Sequence, residues 1–279
     1  NREEQGAMRL DELTAQANSR LGSSGAVRIA SGLASVRICD VTEDSRTVLP
    51  GSLFVARAGA KADGRQFVRQ ALKAGAAAVL CSKASAIDLK AEGGSIDRSA
   101  VVEADDVELA SAVLAEIFYG NPSSKLRCIG VTGTNGKTTT TWLLWRLLNG
   151  VEKRTGLIGT VLIDDGNETA RAEMTTPPAI ELSRTLSVMV ENGCKFAAME
   201  VSSHSLAQKR VAGLSFGIGV FTNLTQDHLD FHKTMEAYGA TKAELFKMLP
   251  ADGLAVLNAQ DAAAELMLRG CKARALRCM

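Results

Sequence analysis

Apolar residues recur at helical spacing over residues 9–20, with Leu10, Leu13 and Ala17 along one side, until the glycines and serines at 22–25 interrupt the pattern. Residues 36–41 read as a strand. Asp44-Ser45-Arg46 and the turn formers Pro50-Gly51 separate it from another at 53–56. Asp63-Gly64-Arg65 opens an apolar-periodic segment through Ala74, with Gly75 where a helix C-cap belongs and a strand at 77–81 beyond it. Residues 99–103 predict one more strand, and Asp105 or Asp106 can cap a helix that runs to Tyr119 and stops at Gly120. Pro122 cannot continue that helix and its neighbours are turn formers, so 121–125 reads as a linker at the end of a small mixed α/β domain, 1–122.

The second half, 123–279, alternates more regularly. A strand around 126–129 runs into a glycine-rich stretch and the start of a helix, followed by strand 155–163, helix 179–192, strands 196–201 and 216–222, helix 235–249, strand 254–258, helix 262–268 and an apolar stub at 273–278. Strands this continuously apolar, alternating with helices, predict a parallel sheet covered on both faces. The fold class is therefore α/β, a small domain followed by a parallel-sheet domain. A chain that ends on a strand reads as interrupted inside the second domain or just before a third.

Composition narrows the classes. At 279 residues the chain can bury two ordinary cores, and 46% hydrophobic with 23% charged residues is a globular balance. A formal net charge of +1, with no Lys/Arg-rich block, gives no electrostatic case for nucleic acid. The six cysteines contain no C-x-x-C pair and fall mostly in apolar strand-like runs, as expected of reduced thiols in a cytoplasmic protein. No span of roughly 18 apolar residues and no charged-then-apolar leader is present, which predicts neither a membrane helix nor a secretion signal. The chain opens on Asn1 rather than Met, as a trimmed or partial sequence would.

The chemistry gathers around GVTGTNGKTTT, 130–140. A glycine turn between strand and helix directs backbone N–H groups inward, and the helix N-terminus adds its positive end, so the stretch can hold a polyphosphate. Lys137 would reach the β- and γ-phosphates and the Thr138 hydroxyl would bind Mg²⁺. The strict pattern wants a glycine where Val131 stands; here Gly130, Gly133 and Gly136 are spaced by three.

Ligands of open parallel sheets lie beyond the C-terminal strand ends. Three such ends are polar: Thr175-Thr176-Pro177, Ser202-Ser203-His204 after Glu200, and Asn223 with Asp227-His228-Leu229-Asp230. A carboxylate inside a buried strand is costly unless paired, so Glu200 either holds Mg²⁺ beside the phosphate loop or forms a salt bridge with an arginine. The three histidines fall at 204, 228 and 232. A His-x-x-x-His zinc site lacks its expected partners, and His228 fits better as a ligand to a second Mg²⁺ or a phosphate contact, with His232 a satisfied core histidine. On composition alone Lys242 reads as a solvated helix lysine.

Taken together, GTNGKTTT, TTPP at 175–178, MEVSSHSLAQKRV at 199–211, FTNLTQDHLDFH at 221–232 and YGATKAELF at 238–246 resemble the Mur ligases, ATP-dependent amide-forming enzymes of peptidoglycan precursor synthesis. DSR at 44–46, GSLFVA at 51–56 and ADGRQFV at 62–68 resemble the N-terminal UDP-binding domain of members that add a diamino acid to UDP-MurNAc-L-Ala-D-Glu. The resemblance implies an ATP site at Gly133, Thr134, Asn135, Gly136, Lys137, Thr138 and Thr139. It implies metal-binding positions at Thr138, Glu200 and His228, and a carbamylated lysine at Lys242, with catalysis resting on Lys137, Lys242 and His228. Ser45 matches a uridine-nucleotide contact. Thr175, Thr176, Ser202, Gln208 and Arg210 match contacts to the muramoyl-peptide, Arg210 through carboxylate or phosphate. The implied cofactors are ATP and Mg²⁺, and the implied partners are small-molecule substrates, UDP-MurNAc-dipeptide and meso-diaminopimelate or L-lysine, handled by a monomer. The family's C-terminal domain, which closes over ATP and selects the amino acid, has no counterpart in these residues, which implies weak activity for the chain by itself. Folylpolyglutamate synthase shares the phosphate loop, but the α/β domain before Gly130 argues against it. The guanine-reading Asn-Lys-x-Asp of GTPase switches does not occur, and a catalytically incomplete paralogue would not need the whole set of polar residues.

Overall fold

The computed structural model describes residues 7–22, 26–58, 63–86 and 99–279, so the Gly/Ser break at 23–25 and Ala62 of the ADGRQFV motif lie outside the described residues. The chain divides into two compact units, Asn1–Gly120 and Asn121–Met279.

The strands of the first unit are β1 (Met8–Arg9), β2 (Val27–Ser31), β3 (Arg37–Ile38), β4 (Asp40–Thr42), β5 (Ser52–Val55), β6 (Ala78–Ser82) and β7 (Ala100–Ala104). Five form a sheet in the order β2-β7-β6-β5-β4, parallel except for the edge strand β2, while β1 pairs with β3. The strand expected at 36–41 is cut at Cys39, whose N–H donates to the Gly51 carbonyl at 3.0 Å and docks the Pro50-Gly51 turn there. The periodic segment after Asp63 is a 3₁₀ turn, Gly64–Phe67, leading into the helix Val68–Lys73, and Gly75 closes it at φ 101°. Asp106, not Asp105, caps the helix Val107–Phe118 by accepting from Leu109 N–H at 2.9 Å.

In the second unit β8 (Arg127–Thr132), β9 (Thr155–Ile158), β10 (Leu162–Asp164), β11 (Thr169–Arg171), β12 (Phe196–Glu200), β13 (Ile218–Phe221), β14 (Leu254–Asn258) and β15 (Arg274–Cys278) form one sheet. Its order is β11-β10-β9-β12-β8-β13-β14-β15, with β9 to β15 parallel and β10 and β11 an antiparallel meander on the edge. The strand expected at 155–163 is thus two. Gly159 passes so close to the Glu200 carboxylate that a Cβ would lie 2.7 Å from Oε1, and the chain turns back from there. Residues 121–125, expected as a linker, are helical where the second unit begins: Asn121 at φ 57° leads into a short helix, Pro122–Lys125, with proline in the first turn, where its missing N–H costs nothing. Ser123 Oγ then accepts from Ser215 N–H at 2.9 Å, tying the helix into the second unit. Helix 262–268 shortens to Ala264–Met267. The core packs Leu186, Met189, Met199, Phe216, Leu245 and Phe246 on the sheet. Of the cysteines, Cys81, Cys128 and Cys194 are buried while Cys39 and Cys278 are exposed, and no disulfide joins the described cysteines.

Candidate active site

β8 is central, flanked by β12 and β13, and delivers the glycine loop to the C-terminal edge of the sheet. The three glycines divide the work. Gly130 is inside the strand, where a Cβ would stand 2.9 Å from Phe216 and 3.0 Å from Leu245. Gly133 (φ 151°) and Gly136 (φ 81°) shape the turn, and a Cβ on Gly133 would come within 1.9 Å of Thr222 Oγ1. Asn223 fixes the loop from the next strand end: its carbonyl accepts from Thr134 N–H and its side-chain oxygen from Asn135 N–H, both at 2.9 Å. The helix Lys137–Gly150 starts directly after Gly136, with Thr139 exposed in its first turn, so its unshared amides face the loop.

Lys137 Nζ donates to the Gly133 and Thr134 carbonyls, both at 3.0 Å. Burial lowers its pKa, against the opposing pull of Glu200 and Asp227. Glu200, 1% exposed, ends β12 in register with Val131 of β8. Its carboxylate accepts from the Thr138 hydroxyl at 3.0 Å, from Thr160 N–H at 2.7 Å and from the Thr160 hydroxyl at 3.1 Å. These neutral donors stand where the alternative reading would have an arginine. Thr138 and Glu200 together present the hard oxygen donors that Mg²⁺ takes, and Mg²⁺ characteristically keeps one or two carboxylates plus phosphates and waters rather than a protein cage. No group of three His, Cys, Asp or Glu side chains able to hold a metal occurs among the described residues.

Lys242 is not solvated. It is 1% exposed, and its Nζ donates to the same Gly133 carbonyl at 2.8 Å, over the Tyr238 ring at 4.4 Å. Burial and then the Lys137 cation bring its pKa down to about 7, with Asp227 opposing. The Tyr238 hydroxyl is 3.3 Å from the Thr134 hydroxyl, and burial raises its pKa. Near Tyr238 the three histidines do gather. His204 meets His228 edge-on at 4.8 Å and His232 at 5.7 Å, while His228 stands 6.1 Å from Tyr238. Burial lowers the pKa of His204 and of His232, and His232 Nε2 lies 2.9 Å from Ser203 Oγ, as a satisfied core histidine should.

The remaining polar strand ends join this group. The Thr160 oxygen, its proton given to Glu200, lies 3.1 Å from the Thr175 hydroxyl, and Thr176 Oγ1 both donates to the Glu200 carbonyl at 2.8 Å and accepts from Ser202 N–H at 3.2 Å. Arg210 donates through Nη1 to the Thr176 carbonyl at 2.8 Å and through Nε and Nη2 to the Gln208 side chain at 3.0 and 2.6 Å. Ser45 sits apart, in the first unit, in a cleft of about 590 Å³ lined by Glu43, Arg46, Arg57, Phe67 and Gln70 among others. There the Ser45 hydroxyl donates to Gln70 Oε1 at 3.2 Å and Arg57 pairs with Glu43. Thr160 carries no motif that singles it out in the sequence, and Tyr238, though it opens the YGATKAELF stretch, is given no role there; their contacts are made 40 and 104 residues away.

A family profile described as the Mur ligase middle domain matches residues 131–278, more than half of the chain, and one described as the Mur ligase family, catalytic domain, matches residues 37–129. The UDP-N-acetylmuramoyl-L-alanyl-D-glutamate–2,6-diaminopimelate ligase of Chlorobaculum tepidum is 47% identical over 261 residues, covering 92% of this chain and 48% of that protein. The protein of the same description from Cytophaga hutchinsonii is 41% identical over 246 residues, covering 88% of this chain and 49% of its own length. A solved structure of a ligase so described superposes with a TM-score of 0.73 at 30% identity, covering 90% of this chain and 50% of that one. The chain spans about half the length of the curated relatives it matches.

Proposed function

The chain belongs to the Mur ligase family, whose members are ATP-dependent ligases, and we propose that it serves to join 2,6-diaminopimelate to UDP-MurNAc-L-Ala-D-Glu in peptidoglycan precursor synthesis. One observation carries this reading: Lys137, Lys242 and the Thr138–Glu200 pair converge on the Gly133 turn. The diamino acid follows the description of the relatives.

In this reading the D-Glu carboxylate attacks the γ-phosphorus of ATP. Lys137 swings from the two loop carbonyls onto the phosphates, and positioning with charge neutralisation supplies most of the catalysis. A Mg²⁺ held by Thr138 and Glu200 would add Lewis-acid neutralisation of the phosphate charge. Lys242, once carbamylated, and His228 would hold a second divalent cation. The acyl phosphate is then attacked by the amine and phosphate leaves as the amide forms, which requires a dry site. Thr175, Thr176, Ser202, Gln208 and Arg210 orient the muramoyl-peptide, while the Ser45 cleft takes the uridine nucleotide. The protein works as a cytoplasmic monomer; among the described residues no helix is long and apolar enough to cross a membrane.

The test is an assay of the complete gene product with UDP-MurNAc-dipeptide, ATP and either diaminopimelate or lysine. Phosphate release that depends on diaminopimelate is expected, and Lys137→Ala should abolish it. Near-normal ATP turnover in that variant, or equal use of lysine, would count against the reading.

A further inference from the structure

Thr132, the last residue of β8, is 0% exposed, and its hydroxyl has no hydrogen-bond partner. Such groups are rare because an unmet buried donor costs about 1–3 kcal/mol. Side chains alternate along a strand, so Thr132 shares a face with Gly130. That face is covered by the helix Met235–Lys247, since a Cβ on Gly130 would meet Leu245 at 3.0 Å. Lys242 lies one helical turn before Leu245 on the same side and reaches the carbonyl of Gly133, the residue next to Thr132. The hydroxyl therefore lies on the face of β8 that this helix covers, one residue before the carbonyl that Lys242 reaches. The lysine nitrogen meets a carbonyl and a ring face, groups that accept or attract a cation, and the Lys137 ammonium that shares this carbonyl is engaged by it and by the Thr134 carbonyl.

A carbamate at this place has the opposite need. The free amine of Lys242 attacks the carbon of dissolved CO₂, the N–C bond forms as one C=O π pair moves onto oxygen, and the nitrogen releases a proton to solvent. The product carries one negative charge shared between two oxygens. A metal ion would engage one of these oxygens, and the other would need a donor. We propose that the Thr132 hydroxyl is that donor and is thereby a positioning residue for the carbamate on Lys242. The inference rests on the carbamylated reading of Lys242 given above.

The experiment supplies ¹³C-bicarbonate to the chain and reads the carbamate signal by ¹³C NMR, assigned by its loss in Lys242→Met. Wild type and Thr132→Ser should show equal occupancy, whereas Thr132→Val should fall about ten-fold, as loss of a hydrogen bond to a charged group does, and recover at high bicarbonate. Valine has the same shape and removes an unmet polar group, so a merely structural role for Thr132 predicts no loss of occupancy; Thr132→Ala repeats the comparison if the valine variant does not fold. Absence of any Lys242-dependent signal in wild type would overturn the carbamate reading and this inference with it. A wild-type signal matched by Thr132→Val and Thr132→Ala would overturn this inference alone.

Discussion

Two lysine side chains donate to one carbonyl, that of Gly133, and their mutual repulsion adds to the burial that depresses Lys242. The ionisable groups around Lys242 are Lys137, Asp227, Tyr238, His204 and His232. Its folded pKa of about 7 lies below the ordinary 10.5, so between these values the unfolded chain binds a proton that the folded chain does not. Stability must then rise with pH across that window, and below it the full cost of burying the cation is present, at about 1.4 kcal/mol for each unit of displacement. Lys242→Met is therefore expected to stabilise the chain by a few kcal/mol at pH 6.5 in CO₂-free buffer, with the gain shrinking at pH 9.5. Denaturant titrations of both proteins at both pH values check this, and a gain independent of pH would refute it. Sequence alone singled out Lys137, Thr138 and Glu200, because a motif or a carboxylate in an apolar strand is visible without coordinates. Lys242 looked like a surface residue until the resemblance placed it, since nothing in its helical spacing distinguishes a buried amine. Thr132 and Thr160 were silent: a threonine at a strand end has many ordinary uses, and theirs depend on which strand lies alongside.

At the scale of elements, the strand–loop–helix around Gly133 works although Val131 breaks the strict phosphate-loop spacing, because Asn223 and Thr222 of the neighbouring strand end supply the missing bracing. The glycines of this element are accordingly unequal. At Gly136 an added Cβ would touch only Thr222, at 3.8 Å, and the left-handed backbone suits asparagine. At Gly133 the same atom would overlap Thr222 Oγ1. Gly136→Asn should cost about 1 kcal/mol or less, and Gly133→Ala about 1–3 kcal/mol, with a loss of adenine-nucleotide binding in the latter; equal denaturation midpoints for the two variants would contradict the division. The central strands β8, β12, β13 and β14 are legible because all four are apolar runs, buried on both faces in β8 and β12 and on one face, with the other partly covered, in β13 and β14. The hairpin β10–β11 is not. Thr169, Ala170 and Arg171 are exposed, so no hydrophobic alternation marks them, and only the close passage at Gly159 ends the preceding strand.

For the molecule as a whole, each cleft draws its lining from one unit: the Ser45 cleft from residues 43–70, and the groups around the phosphate loop from residues 133–242. A ligand stabilises only the fold that binds it, by RT ln(1 + [L]/Kd), about 2.7 kcal/mol at a hundred-fold excess over Kd. Because opening is local, that stabilisation appears as slowed amide exchange in the binding unit and not elsewhere. On the intact chain UDP should slow exchange in β4, β5 and the helix Val68–Lys73, leaving β8 and β12 unchanged. ADP with Mg²⁺ should do the converse, slowing the first turn of the helix Lys137–Gly150 and the end of β12, and Lys137→Ala should remove the second effect while sparing the first. Protection of the Ser45 region by ADP in preference to UDP would reverse the assignment of the two units, and protection of both units by either ligand would mean that the sites are coupled rather than separately built.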